Sequence, residues 1–98
     1  MTLPVIFRPI ARLELEEAMA WYKRQKPGLE AEFKKAVEQI LERVAAAPLR
    51  FRPGRGESRR ALLRRFPYAI HLMPEPNAII VLAMFHTKRD PRFLEGRS

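Results

Sequence analysis

Between Leu29 and Val44 the apolar residues Phe33, Ala36, Val37, Ile40, Leu41 and Val44 recur at three- and four-residue spacing, with charged residues in the gaps. That period lines one face of an α-helix, and the face has to be buried against another element. Pro48 stops the pattern because proline has no backbone N–H for a helix interior. Upstream, "IARLELEEAMAWYKRQ" is rich in helix formers, and Leu15, Ala18, Met19 and Tyr22 fall at i, i+3, i+4 and i+7. "KPG" breaks this first helix only a few residues before the second begins. Two helices so closely joined are predicted to form an antiparallel hairpin. In the first helix Glu14, Glu16 and Glu17 lead while Lys23, Arg24 and Lys26 trail. That order complements the helix dipole, so the glutamates read as a solvated face.

A hairpin with one apolar side needs a second layer, and the remaining segments read as strands. "LPVIFRP" offers Val5, Ile6 and Phe7 before Pro9 ends it. "LRFRPGRGES" reads as loop, on its proline and two glycines. A strand is then expected over Ser58–Phe66 and another over Tyr68–Met73. "PEPN" turns the chain into "AIIVLAMFH", apolar almost throughout, as suits a central strand. Tight connections make these three an antiparallel meander. The predicted order is β-α-α-β-β-β. The fold class is α+β: a helical hairpin on a small, mainly antiparallel four-stranded sheet, with residues 1–98 as one domain.

Charge is unevenly placed. The net formal charge is +8, with nine basic residues against seven acidic in the first fifty positions and ten against four in the rest. From Arg52 to Arg65 six arginines face the single Glu57. Such a block sets up a field that attracts anionic partners. No cysteine is present, which excludes disulfides, thiolate metal sites and a cysteine nucleophile. No apolar run reaches the roughly 20 residues that span a bilayer, and the N-terminus lacks the pattern of a signal peptide. A cytoplasmic location with no membrane association is the expectation.

The strand "RRALLRR" concentrates the question. Alternation assigns Arg59, Ala61, Leu63 and Arg65 to one face, and Arg60, Leu62, Arg64 and Phe66 to the other. Ala61 and Leu63 suit the helices, which leaves Arg60 and Arg64 on the open side. Charge on an edge strand also discourages aggregation, but lysine is the usual residue for that task. Arginine brings a planar fork of donors matched to carboxylate and phosphate. Arg59, Arg60, Arg64, Arg65 and Arg89 are therefore the candidate anion- or target-binding set.

His86 and Arg89 leave the last strand in "FHTKRDP", and His86 has the chemistry of a general acid or base. Asp90, before Pro91, reads as a turn or ion-pair residue. Trp21 and Tyr22 read as packing between helix and sheet, with base stacking the lesser alternative. No glycine-rich phosphate loop, metal-spaced cluster or nucleophile elbow is present, so no cofactor and no metal are expected. Any catalysis must run on Arg, Lys and His, a set that can stabilise the extra charge on phosphate during RNA cleavage.

"FRPIARLELEEAMAWYKRQKPGLEAEF", "RRALLRRFPYAIHL" and "VLAMFHTKRDP", in that order, resemble the RelE/ParE superfamily of toxins from type II toxin–antitoxin systems, the plasmid stabilisation proteins. The likeness runs from Val5 to Arg92. The resemblance implies the β-α-α-β-β-β fold, growth inhibition in a bacterium, and a cognate antitoxin with which the toxin forms a hetero-oligomer. RelE-like members cut mRNA at the ribosome, whereas ParE-like members inhibit DNA gyrase. Arg60 and Arg89 fall where RelE-like toxins carry basic residues. Leu62 and Ala69 stand where those toxins carry a lysine and an arginine, and the tail has no tyrosine at the expected place. The H-x-x-R-D ending is closer to ParE-like chains. A gyrase-binding toxin is therefore the leading expectation. A ribosome-dependent, metal-independent endoribonuclease with Arg60, Arg64, His86 and Arg89 as its catalytic set is the alternative, and an inactive or basic nucleic-acid-binding member the third.

Overall fold

The computed structural model of the chain describes residues 3–54 and 56–88. Strand β1 (Val5–Phe7) leads into helix α1 (Pro9–Gln25), helix α2 (Leu29–Ala46) and a 3₁₀ turn at Pro48–Arg50. Strands β2 (Arg52–Pro53), β3 (Arg59–Leu62), β4 (Tyr68–Glu75) and β5 (Ala78–His86) follow. They form one sheet in the order β1-β5-β4-β3-β2. β1 runs parallel to β5, and the other pairings are antiparallel. The α+β class and the hairpin-on-sheet arrangement are as the sequence implies. Among the described residues the sheet has five strands, however, not four. The extra strand comes from the segment read as loop, where Arg52 and Pro53 pair with Arg60 and Arg59.

The entry into α1 needs no loop. Arg8 is extended and its N–H still bonds Val81 O at 3.0 Å, while its carbonyl accepts from Arg12 N at 3.0 Å. Pro9 takes the first helical position, where a missing N–H costs nothing. The hairpin turn depends on Gly28, at φ 97°, a left-handed conformation that glycine adopts without steric penalty. Its N–H is taken by Glu30 Oε1 at 2.7 Å. Glu30 and Glu32 lie in the first turn of α2 and Arg43 in its last, in keeping with the dipole. α1 has no acidic residue in its first turn, so the dipole does not explain Glu14.

The core lies between the hairpin and one face of the sheet. Ala11, Leu15, Ala18 and Tyr22 of α1 and Phe33, Val37, Ile40 and Val44 of α2 meet Ala61, Ile70, Leu72, Ile79, Val81 and Met84. Four aromatic rings close one end of it. Tyr22 stacks on Phe33 at 5.0 Å, and Phe66 and Tyr68 meet Phe33 edge-on at 5.1 and 5.2 Å. Such pairs add to area burial about 0.5–1.5 kcal/mol each.

The strand predicted over Ser58–Phe66 is shorter than expected, and the difference relocates two side chains. β3 ends at Leu62, and Leu63 N–H bonds Tyr68 O at 3.0 Å to close a tight connection. Arg65 sits in it at φ 71°. Past Leu62 the two-residue alternation no longer applies. Phe66, assigned by alternation to the Arg60 face, is instead buried in the aromatic cluster under the helices. β4 runs two residues further than predicted and includes Pro74. This proline lies beyond the reach of β3, whose pairing stops at Leu72, so one flank of β4 has no ladder to break there.

The second sheet face carries a smaller apolar cluster of Leu82, Ala83 and Phe85 with Met73 and Ile80. Its register shifts between His71 and Leu72, opposite Ala83 and Val81. Leu82 is thus the extra residue of a bulge and joins its neighbours on the same face.

Candidate partner-binding site

Among the described arginines of the block, Arg52 and Arg60 lie on one sheet face and Arg59 on the other. Direct partners across antiparallel strands share a face. Arg60 is opposite Arg52 on β2 and His71 on β4, which is in turn opposite Ala83. Arg60 therefore lies on the face away from the helices, as alternation implies, and Arg52 stands beside it. Two like charges in direct register repel, and among the described residues neither has an acidic partner. Arg59 points to the helix side. Its Nη1 donates to Phe51 O at 3.5 Å, and its Nε is buried without a hydrogen-bond partner.

Arg64 and Arg65 leave the sheet face altogether. Arg64 lines a hollow of about 310 Å³ with Ala36, Gln39, Ile40 and Arg43 of α2. Arg65 makes an exposed ion pair with Glu32 of α2 at 2.9 Å, and its guanidinium lies 5.6 Å from the Phe66 ring centre. The expected pairing of Arg60 with Arg64 on one open surface does not form, because the connection after Leu62 turns Arg64 toward α2.

A second hollow of about 290 Å³ adjoins the first, lined by Arg43, Ala46, Ala47, Arg50 and Phe51. Arg43 belongs to both, with its guanidinium 5.9 Å from the Phe51 ring centre. Together they make a furrow between α2 and the β2–β3 end of the sheet. Its floor is aliphatic and aromatic, its rim is Arg43, Arg50 and Arg64, and among the described residues no acidic one lines it. Arg43 and Arg50 escaped the sequence reading, which looked for arginines within the strand. The signal available was Arg43 in the last turn of α2 beside the helical stripe.

His86 lies on the other side of the fold. It is on the helix face of β5, edge-on to Tyr68 at 5.4 Å, and its Nδ1 accepts from Lys88 N at 3.2 Å. It helps line a groove of about 770 Å³ between α1 and the end of β5, with Trp21, Tyr22, Tyr68, Glu14 and Glu17. Burial raises both phenols above their ordinary value, and for Tyr22 the neighbouring Tyr68 adds to it. The two stay protonated hydrogen-bond donors at neutral pH. Tyr22 is core, as expected of the pair, whereas Trp21 is 47% exposed. Arg89 lies outside the described residues. Among the described residues Arg60, Arg64 and His86 are on three different surfaces, and no group of acidic or histidine side chains could hold a metal ion. No helix in them is long and apolar enough to cross a membrane.

Comparison with curated protein sequences finds no match. Among solved structures, a chain from the chromosomal ParDE TA system of P. aeruginosa has the same fold, at a TM-score of 0.76 and 13% identity, over 87% of this chain and 96% of that one. The family model for the ParE toxin of the type II toxin–antitoxin system, parDE, matches residues 5–91. That match takes in β1, the helical hairpin and the whole meander, the elements that build the furrow and the groove. The chain belongs to the ParE toxin family.

Proposed function

We propose that this chain is held inactive by a cognate antitoxin and arrests growth by binding DNA gyrase, without cutting nucleic acid. The observation that carries the first part is the furrow of Arg43, Arg50 and Arg64 over Ala36, Ile40 and Phe51. An aliphatic floor with an unopposed cationic rim fits an acidic amphipathic segment that orders on contact. The Arg52–Arg60 pair, in register on the opposite face of the β2–β3 edge, extends the favourable field for a segment that wraps around that edge.

The dispersal of Arg60, Arg64 and His86 supports the absence of cutting, and the resemblance to ParE-like chains supports gyrase as the target. Stabilising a phosphorane takes several donors aimed at one point, and these three side chains occupy separate surfaces. Leu62, half-exposed on the Arg60 face, and Ala69, buried on it, supply no donors where a RelE-like nuclease would need them.

The test begins with induction of the chain alone and together with the gene beside it. Arrest relieved by the neighbouring product is the expected result. Gyrase supercoiling in vitro should then fall with added toxin, while primer extension on cellular mRNA shows no new ends. New ends with unaffected supercoiling would replace the gyrase reading with the nuclease one. Unimpaired growth with soluble full-length protein would favour an inactive member.

A further inference from the structure

The groove between α1 and β5 has the opposite character from the arginine furrow. Its walls are Trp21, Tyr22, Tyr68 and His86; Glu17 brings a carboxylate to it, as does Glu14, which also accepts from Met84 N–H, and among the described residues Arg24 brings the one guanidinium. The rings stand nearly at right angles in sequence. Trp21 meets Tyr22 at 5.0 Å and 87°, Tyr22 meets Tyr68 at 6.1 Å and 60°, and Tyr68 meets His86 at 5.4 Å and 71°. Edge-to-face contacts cover the inner ring faces, and Tyr22 is buried on Phe33, so the ring offered to the groove is the half-exposed Trp21, and an exposed aromatic face attracts cations. Leu13, half-exposed, lies two turns before Trp21 on the same face of α1, with Glu17 between them, and Ile10 is one turn further back.

We infer that this groove is a second docking site, distinct from the furrow, for a basic partner segment that lays an arginine side chain on the Trp21 ring with Glu17 as counter-charge. Charge complementarity selects the occupant. The chain as a whole carries +8, and its long-range field repels cations. A basic segment is held here only by the local carboxylates and the Trp21 ring. An acidic segment is drawn instead to the furrow. Apolar side chains flanking that arginine have Leu13 and Ile10 to rest on. The two sites lie on separate surfaces and take opposite charges, so one chain can engage both partners at once.

Trp21 is the only tryptophan in the chain, and its fluorescence reports on the groove directly. Titration of the full chain with a hexa-arginine peptide should change the emission saturably, and hexaglutamate should leave it unchanged. Glu17→Gln should weaken the arginine peptide about threefold, the scale of losing one exposed charge contact. By calorimetry Trp21→Leu should weaken it about fivefold or more. A doubly substituted Arg43→Ala/Arg64→Ala chain should bind it as the parent does. Lack of a saturable change with hexa-arginine overturns the inference, as does an equal response to hexaglutamate. Undiminished binding by both Glu17→Gln and Trp21→Leu overturns it as well. None of these outcomes bears on the furrow, whose partner has the opposite charge.

Discussion

Glu14 Oε1 accepts a hydrogen bond from the backbone N–H of Met84 at 3.0 Å, tying the second turn of α1 to β5 beyond the end of β1. β1 pairs with β5 only at Ile79, Ile80 and Val81. Among the described residues the edge of β5 past that point has no neighbouring strand, and a side chain does there what a strand would do elsewhere. Glu14 is thus a structural acceptor as well as part of a charged helix surface.

Removing that acceptor leaves a partly buried N–H without its partner, a loss of about 1–3 kcal/mol. Glu14→Ala should lower the urea midpoint accordingly. Glu14→Gln, which keeps a carbonyl oxygen in reach, should retain most of the stability. Equal destabilisation by both would assign the effect to the charge and not to the hydrogen bond.

Arg65, at φ 71°, makes a second testable point. A left-handed conformation costs a non-glycine residue about 1–2 kcal/mol, set against an exposed ion pair with Glu32 worth about 0–1 kcal/mol. Arg65→Gly relieves the strain but loses the pair and loosens the unfolded chain, so its stability should stay within about 1 kcal/mol of the parent. Arg65→Val, β-branched at the same φ, should fall by about 1–3 kcal/mol. Thermal melts of the two variants side by side make the comparison.

The helical hairpin and the β3-β4-β5 meander were legible in the sequence because they rest on periodicity and short connections, whereas β1 beside β5 and the short β2 were not. Phe33, Val37, Ile40 and Val44 announce one buried face whatever they pack on. The placement of Arg64 and Phe66 was not legible, for a different reason. Alternation predicts a face only while a strand continues, and the end of β3 at Leu62 is set by the Leu63–Tyr68 connection, which four consecutive non-glycine residues do not signal. Arg43 and Arg50 were missed because a furrow is made by two elements distant in sequence. Glu14 escaped for the same reason, since its partner lies seventy residues away.

The phenols of Tyr22 and Tyr68 set a pH limit on the fold. Burial holds both above their ordinary value of 10.0, and Tyr68 adds to the shift at Tyr22. As pH rises past about 10 the unfolded chain loses these protons first, so it binds fewer of them than the folded state. Stability is therefore flat below that pH in respect of these groups and falls above it. Tyr22→Phe/Tyr68→Phe should match the parent's urea midpoint closely at pH 8 and lose less of it by pH 11. Phenolate absorbance at high pH should show delayed titration in the folded parent.

Phe33 is fully buried where the hairpin, the β3–β4 connection and β4 meet. Phe33→Ala removes the ring at the centre of four and should cost about 3–5 kcal/mol, a large share of what a domain of this size has to lose. Phe33→Leu, which keeps most of the volume, should cost clearly less. A small effect for the alanine variant would mean that Tyr22 and Phe66 collapse into the space.

The furrow yields the last prediction, and charge arithmetic decides its form. Arg43 and Arg64 rim it from α2 and the β3–β4 connection, while Arg52 and Arg60 stand in register on the far face of the same edge. If the antitoxin's acidic segment seats in the furrow, Arg43→Ala/Arg64→Ala removes two cations from a desolvated rim. Affinity should then drop by at least tenfold, mostly through faster dissociation. Arg52→Ala/Arg60→Ala should act more weakly and through the association rate, since charges flanking an interface steer encounter more than they hold the complex. It should also flatten the salt dependence, because screening then has less attraction to remove. Surface plasmon resonance across a salt series separates the two pairs. Equal affinity for the parent and the Arg43/Arg64 variant would move the antitoxin away from the furrow and leave its unopposed cations without a partner.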